Sequence, residues 1–390
     1  MPEADTSYNT LIEMAFILIV LFIGGLFASK LRQSVIPAYI LIGIFGQHFI
    51  KSIELIRILS TVGLILLLFF IGMEFSFTTL VRTWKTTFVS GGIDLALNFP
   101  IGFLFGIIIG WDTLSSLYLA GIVYISSSAI ITKTIIDNRL SANPESETIL
   151  SILVYEDLFI ALFLGILSGI TLSGRVDALS ILIVLLKVIG FGVLFLLVFH
   201  RFIPHLNSVL NIRSDELFLL LIFGIIMFVS VVAMKLGLSE AIGAFMAGLI
   251  ISETVHRERV EEKLSPFKDL FAAIFFLSFG MTIDYNGMGG VIWLGVILVV
   301  VSIVSKIISG FITGCIQGLS KRASLGIGIG LIARGEFSII LASTAVAGLF
   351  SHEIISKIPT ITAFYVLVTG IFGAIAMKEY PRISDRLTKR

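Results

Sequence analysis

Two adjacent acids, Glu156 and Asp157, stand inside an otherwise apolar run, Leu153-Val154-Tyr155-Glu156-Asp157-Leu158. Consecutive helical positions point about 100° apart, so one carboxylate can face a cavity while its neighbour faces a partner helix. A carboxylate in a low-dielectric cavity takes up a proton or holds a dehydrated cation, but not both at once. That competition is all a cation/proton exchanger needs. The plainer reading of the pair is a structural contact with a lysine.

Two further segments interrupt apolar runs with polar and small residues. One is Ser126-Ser127-Ser128-Ala129-Ile130-Ile131-Thr132-Lys133, the other Gly330-Leu331-Ile332-Ala333-Arg334-Gly335-Glu336-Phe337-Ser338. Where a membrane helix breaks, its ends expose carbonyls that can ligate a cation and N–H groups with partial positive charge. The hydroxyls of Ser126, Ser127, Ser128 and Thr132 are therefore candidate ion or proton ligands beside Asp157 and Glu156. Arg334 and Glu336 are placed to neutralise the broken ends or each other. Ordinary kinks, satisfied by serine bonding back to its own helix, are the plainer reading.

Lys306 lies midway along another apolar run. It either pairs with Glu156 or Asp157 until a cation enters, or it snorkels or neutralises a helix end. Asp94 and Asn98, at i and i+4, share one helix face and read as a structural polar network. Glu74 and Asp284 read as interface anchors, and Lys187 as a snorkelling side chain. His48, His200, His205, His256 and His352 read as solvated histidines at helix ends and in loops.

These side chains need a scaffold suited to lipid. Only 14% of the 390 residues are charged, 57% are apolar, and the mean hydropathy is +1.07; a soluble domain is roughly a quarter charged. A net charge of +1 with no basic domain excludes a nucleic-acid partner, and the single Cys315 excludes a disulfide framework. No P-loop, G-x-S-x-G, H-x-x-x-H or C-x-x-C spacing supports an enzyme or a cofactor. The expectation is an all-α polytopic membrane protein, because helices satisfy their own backbone inside lipid and about 20 apolar residues cross the hydrocarbon. Thirteen spans are predicted, near 11–28, 35–50, 57–75, 87–110, 114–136, 147–172, 178–203, 214–236, 238–252, 267–283, 291–316, 323–349 and 354–377.

Glu3 and Asp5 precede the first span without a base, unlike the positive start of a signal peptide, which points to an outside N-terminus. Most of the 27 lysines and arginines then fall on cytoplasmic connections, among them Lys30, Arg32, Arg82, Lys85, Arg257, Arg259 and Lys263. The outside connections hold only Lys51, Arg57, Arg175, Lys235 and Lys357. This asymmetry favours an odd span count and a cytoplasmic C-terminus; the plasma membrane is the expected location.

The chain also repeats itself. At a near-constant shift, Leu67–Met73 lies over Phe275–Met281, Gly102-Phe103 and Gly106 over Gly310-Phe311 and Gly314, and Gly121-Ile122 over Gly328-Ile329. In these frames Asn98 falls on Lys306, and Ser126-Ser127-Ser128 on Ala333-Arg334-Gly335. The shift equals an odd number of spans, so equivalent helices run in opposite directions, as in many secondary transporters. A membrane domain over 1–377 is expected, with repeats at about 11–172 and 214–377, a linker helix at about 178–203 and a basic cytoplasmic tail at 378–390.

In this order and spacing, Leu66–Glu74, Ser126–Ser128, Glu156-Asp157, Ile242–Gly248, Phe279–Asp284 and Arg334-Gly335-Glu336-Phe337 resemble the cation:proton antiporter-2 family. That family includes Kef-type potassium efflux systems and bacterial sodium/proton antiporters. The resemblance covers essentially the whole chain. It implies a sodium/proton antiporter-like fold with crossed discontinuous helices, Asp157 as the ion- and proton-binding aspartate, and Lys306 as the base that pairs with the acidic site. Glu156 departs from the Asp, Asn or Gln that family members carry there. The resemblance also implies an elevator motion and a homodimer. Kef types continue into a nucleotide-binding domain; this chain ends in its basic tail, so regulation is expected from a separate cytoplasmic subunit. The expected function is exchange of a monovalent cation, K+ ahead of Na+, for protons in pH homeostasis, without a cofactor. A gated cation channel or ion sensor on the same fold is the alternative.

Overall fold

The computed structural model describes residues 2–31, 34–74, 77–173, 205–236, 238–283, 288–348 and 352–388, with scattered positions between 179 and 203. Every regular element described there is a helix. In order these are α1 (Pro2–Lys30), α2 (Ile36–Gly46), α3 (Ile53–Glu74), α4 (Phe77–Ile108), α5 (Thr113–Tyr124), α6 (Ser128–Asp137) and α7 (Pro144–Ser173). They are followed by α8 (Asp215–Lys235), α9 (Glu240–Ser252), α10 (Arg257–Met281), α11 (Met288–Ile316), α12 (Lys321–Gly330), α13 (Glu336–Gly348) and α14 (His352–Thr388). Among the described residues, nine helical segments are long and apolar enough to cross a membrane. The second and ninth predicted spans are the short helices α2 and α9, of 11 and 13 residues. The predicted linker helix at 178–203 falls largely outside the described residues, as do Arg175, His200 and Asp284.

Helix ends differ from the hydropathy boundaries at three places. α1 begins at Pro2, α4 at Phe77, and α14 runs to Thr388 through most of the segment expected to be a separate tail. Hydropathy reports the length bathed in hydrocarbon. A helix continues beyond that length because each added residue costs little once the helix is nucleated.

The internal repeat is visible in the hairpins that lead into the two interrupted segments. α4 and α11 both end at a glycine in the left-handed region, Gly110 (φ 84°) and Gly318 (φ 74°), a conformation that a Cβ would strain. The next amide then folds back, Trp111 N–H onto Gly106 O and Leu319 N–H onto Gly314 O, each at 2.9 Å. A side chain caps the following helix, Asp112 accepting from Ser115 N–H at 3.0 Å and Ser320 from Ala323 N–H at 3.2 Å. The returning helices pack closely through small residues. A Cβ on Gly102 or Gly106 would meet Ala120 or Ser116, and one on Gly310 or Gly314 would meet Gly328 or Ser324. Each contact maps onto its counterpart under the sequence shift. Lipid offers no hydrophobic drive for helix association, so close backbone approach has to supply it.

A second set of contacts is exchanged between the repeats. Gly43 of α2 lies against Leu277 and Gly280 of α10, and Gly248 of α9 lies against Phe69 and Gly72 of α3. The second helix of each repeat thus docks on the third helix of the other. Two compact units result, one of Met1–Ile58, Lys85–Glu156 and Phe276–Arg390, the other of Leu59–Trp84 and Asp157–Phe275. Each draws on both repeats; the first carries Asp94, Glu156, Lys306, Arg334 and Glu336, and the second begins its long segment at Asp157.

Candidate functional site

The two polar interruptions are breaks in their helices, and the breaks cross. α5 stops at Tyr124 because Ile125 and Ser127 turn extended (φ/ψ −70°/129° and −90°/103°). α12 stops at Gly330, and α13 starts at Glu336. Where the extended pieces meet, Ser127 N–H donates to Ala333 O at 2.8 Å. Ser126 Oγ lies 3.1 Å from Leu331 O, and Ser338 Oγ donates to Ile122 O at 2.9 Å. Backbone groups freed by each break thus find partners in the other, which a water-free interior demands.

The crossing brings like helix ends together. α5 and α12 present C-terminal carbonyls, and Arg334, 1% exposed, answers both. Its Nε donates to Val123 O at 3.0 Å and one terminal nitrogen to Leu331 O at 2.6 Å and Ile332 O at 2.9 Å. α6 and α13 present N-terminal amides. Ser127 caps α6 by accepting from Ile130 N–H at 3.3 Å, and it donates to Glu336 Oε2 at 2.9 Å. Glu336 is itself the first residue of α13. A cation at two negative helix ends and an anion at two positive ones is the stable assignment of charge. Arg334 bonds the carbonyl ends directly, and Glu336 bonds the Ser127 hydroxyl that caps α6.

Beside the crossing lies an ion cluster. Lys306 Nζ sits 2.6 Å from Asp94 Oδ2 and 2.6 Å from Glu156 Oε1, and all three side chains are 0% exposed. Glu156 also accepts from Ser126 N–H at 2.6 Å and Ser126 Oγ at 3.0 Å, which ties the cluster to the break. Asp94 accepts from Ser309 Oγ and Asn98 Nδ2, both at 2.8 Å. Lys306 further lies 5.2 Å from the centre of the Tyr124 ring, whose face attracts cations. Two carboxylates on one ammonium leave a negative charge away from water that the Arg334 guanidinium, 3.5 Å from Ser126 Oγ, offsets in part. Buried charge is tolerated only when compensated, and a proton or a small cation would compensate it.

Asp157 follows Glu156 along α7, half buried and about 100° further round the helix. Ser128 opens α6 and Thr132 follows one turn later, both half buried. Lys187 and Glu74 are exposed. His256 bonds Asn207 O through its ring at 3.1 Å. No cluster of three His, Cys, Asp or Glu side chains forms a metal site among the described residues. The Asp94–Asn98 contact expected from sequence is present, and Lys306 and Ser309 join Asp94 in it. An ionisable residue inside a span is by default a functional candidate.

Known proteins resemble this chain in sequence and in fold. The pattern of the family described as sodium/hydrogen exchanger, transmembrane, matches residues 17–379. The chain is 38% identical over 388 residues to KhtU, a K+/H+ antiporter subunit of Bacillus subtilis (strain 168), covering 97% of this chain and 95% of KhtU. It is 31% identical over 379 residues to AmhT, an ammonium/H+ antiporter subunit of Alkalihalophilus pseudofirmus, covering 96% and 94%. Its fold matches the sodium proton antiporter MjNhaP1 from Methanocaldococcus jannaschii with a TM-score of 0.74 at 18% identity, covering 95% of this chain and 97% of that one.

Proposed function

This chain belongs to the transmembrane sodium/hydrogen exchanger family, and from that premise we propose that it exchanges K+, ahead of Na+, for protons. It is a multi-pass membrane transporter and not an enzyme. The observation that carries the reading is the fully buried Asp94–Lys306–Glu156 cluster, bonded through Ser126 to the crossing of two broken helices. Asp157, next along α7, alternates between a proton and the cation. Glu156 and Lys306 hold the compensating charge beside it, and Ser126, Ser127, Ser128 and Thr132 offer hydroxyls and carbonyls to the ion. Arg334 and Glu336 keep the broken ends neutral while the site moves in an elevator-type cycle.

K+ is favoured because the relative named for K+/H+ exchange is 38% identical over nearly the whole chain, and ammonium, named for the second relative, is close to K+ in size. Both relatives are named as subunits, which supports a separate regulatory partner. We further propose a homodimer in the plasma membrane, with the N-terminus outside and the C-terminus cytoplasmic. A gated channel is not favoured, since the relatives are named as antiporters.

The test is proton flux in proteoliposomes under imposed K+ or Na+ gradients, with Asp157→Asn as the comparison. Wild type should couple K+ movement to proton countermovement, and the variant should lose at least 100-fold in rate, as expected when the single group that carries a step is removed. Equal rates would overturn the site assignment. Cation flux without proton movement would mean a channel. Imposing a membrane potential on Glu156→Gln in the same vesicles reads whether Glu156 carries transported charge.

A further inference from the structure

We propose that a cavity behind the helix crossing binds the phosphate-bearing headgroup of an anionic membrane lipid. The cavity has a volume of about 430 Å³ and is bounded by the end of α1, the start of α2, α6 and the second half of α14. Arg334 and Gly335 belong to its wall, so it borders the break in the second interrupted helix. It is independent of the ion cluster, none of whose three charged side chains lines it.

Three features of the wall select an anion. Lys133 and Lys378 both line the cavity and are exposed, and neither enters an ion pair among the described residues. The carboxylate that shares the wall is Asp137, which leaves the balance positive. The first residues of α2 also line it, and Val35, at the N-cap of that helix, offers no side-chain cap. Ile36 N–H makes a long 3.4 Å contact with Ser34 Oγ. A helix start carries partial positive charge, the arrangement that receives phosphate elsewhere. The same two lysines argue against this cavity as the route of the transported cation.

The surroundings select a lipid over a free anion. α14 supplies Ile371 and Ile375 to the wall, and these are 40% and 49% exposed, with Phe372 beside them 49% exposed. An apolar strip of this kind suits an acyl chain, while the lysines lie near the ends of their spans, where headgroups lie. On the orientation proposed above, this is the cytoplasmic leaflet, which concentrates anionic lipid. Lysines near a membrane end bury their stems and hold their ammonium groups at that level. A headgroup seated here would press on Arg334 and Gly335, so the lipid composition of one leaflet would bear on the crossing from behind.

The test uses the full chain in nanodiscs of mixed phosphatidylglycerol and phosphatidylcholine, extracted and examined by native mass spectrometry for retained lipid. Wild type should retain phosphatidylglycerol in preference. Lys133→Gln with Lys378→Gln should lower the retained ratio about tenfold or more, given what each basic residue contributes near a membrane surface. Lys133→Arg with Lys378→Arg should keep the ratio, and Lys51→Gln with Lys235→Gln, at exposed lysines elsewhere, should not change it. Equal retention of both lipids by wild type would overturn the proposal without any variant, as would an unchanged ratio in a folded Gln pair. Displacement of the lipid by excess inorganic phosphate would reassign the cavity to a free anion and overturn the lipid assignment.

Discussion

Lys306 serves two carboxylates, and that ratio dictates an order of cost. Lys306→Met strips Asp94 and Glu156 of their counter-charge while both stay 0% exposed. Breaking a buried pair from one side costs about 3–5 kcal/mol, and here two acids lose their partner, so the upper end of that range applies. The loss is softened by the donors that survive, Ser309 and Asn98 on Asp94 and the Ser126 amide and hydroxyl on Glu156. Asp94→Asn or Glu156→Gln leaves one acid on one base at the same 2.6 Å. Each forfeits one charged hydrogen bond, about 1.5–3 kcal/mol. The expected order is therefore Lys306→Met well below both amide variants, and these close to each other. Combining all three substitutions removes every charge and keeps the donors, so it should recover most of what Lys306→Met loses. Reversible unfolding of the full chain in mixed micelles, followed by circular dichroism, measures all four. The reasoning fails if Lys306→Met is as stable as Asp94→Asn, or if the neutral triple variant is no better than Lys306→Met.

Two further outcomes follow from the crossing and its hairpins. Gly310→Ala should cost about 1–3 kcal/mol by overpacking, because its Cβ would meet the Gly328 backbone; Gly224→Ala, with nothing within 4 Å, should be neutral or stabilising, and thermal midpoints in detergent compare them. Arg334→Lys should unfold more readily than wild type and slow exchange, since a single ammonium cannot reach Val123 O, Leu331 O and Ile332 O together; midpoints and vesicle flux together check it.

The membrane class, the breaks and the repeat were legible because each is written in composition or in local pattern. A serine run or an Arg-Gly-Glu inside an apolar stretch has no cheaper explanation than a broken helix. The repeat was legible through its glycines, since only glycine permits the approach that Gly310 makes to Gly328. The pairing within the ion cluster was not legible. Lys306 stands far along the chain from Asp94 and Glu156, and no periodicity connects residues on three different helices. The structure supplies what the sequence left open between a pair and a snorkelling side chain. Gly110, Gly318, Asp112 and Ser320 were within reach. Carrying the repeat a few residues further would have aligned both turns and both caps.

The exchanged contacts between the repeats also bear on how the protein is made. α2 has only 11 residues, too few to cross the hydrocarbon unaided, and its Gly43 packs against Gly280. At about 5–20 residues per second, the chain between those glycines takes on the order of 10–50 s to leave the ribosome. For that time the first repeat lies in the membrane as an unfinished surface, with α2 packed on α1 but lacking α10. α3 waits in the same way for Gly248. Biogenesis therefore has a delay built in, and a chain cut after α7 would be left with both docking faces open to lipid or to the wrong helix.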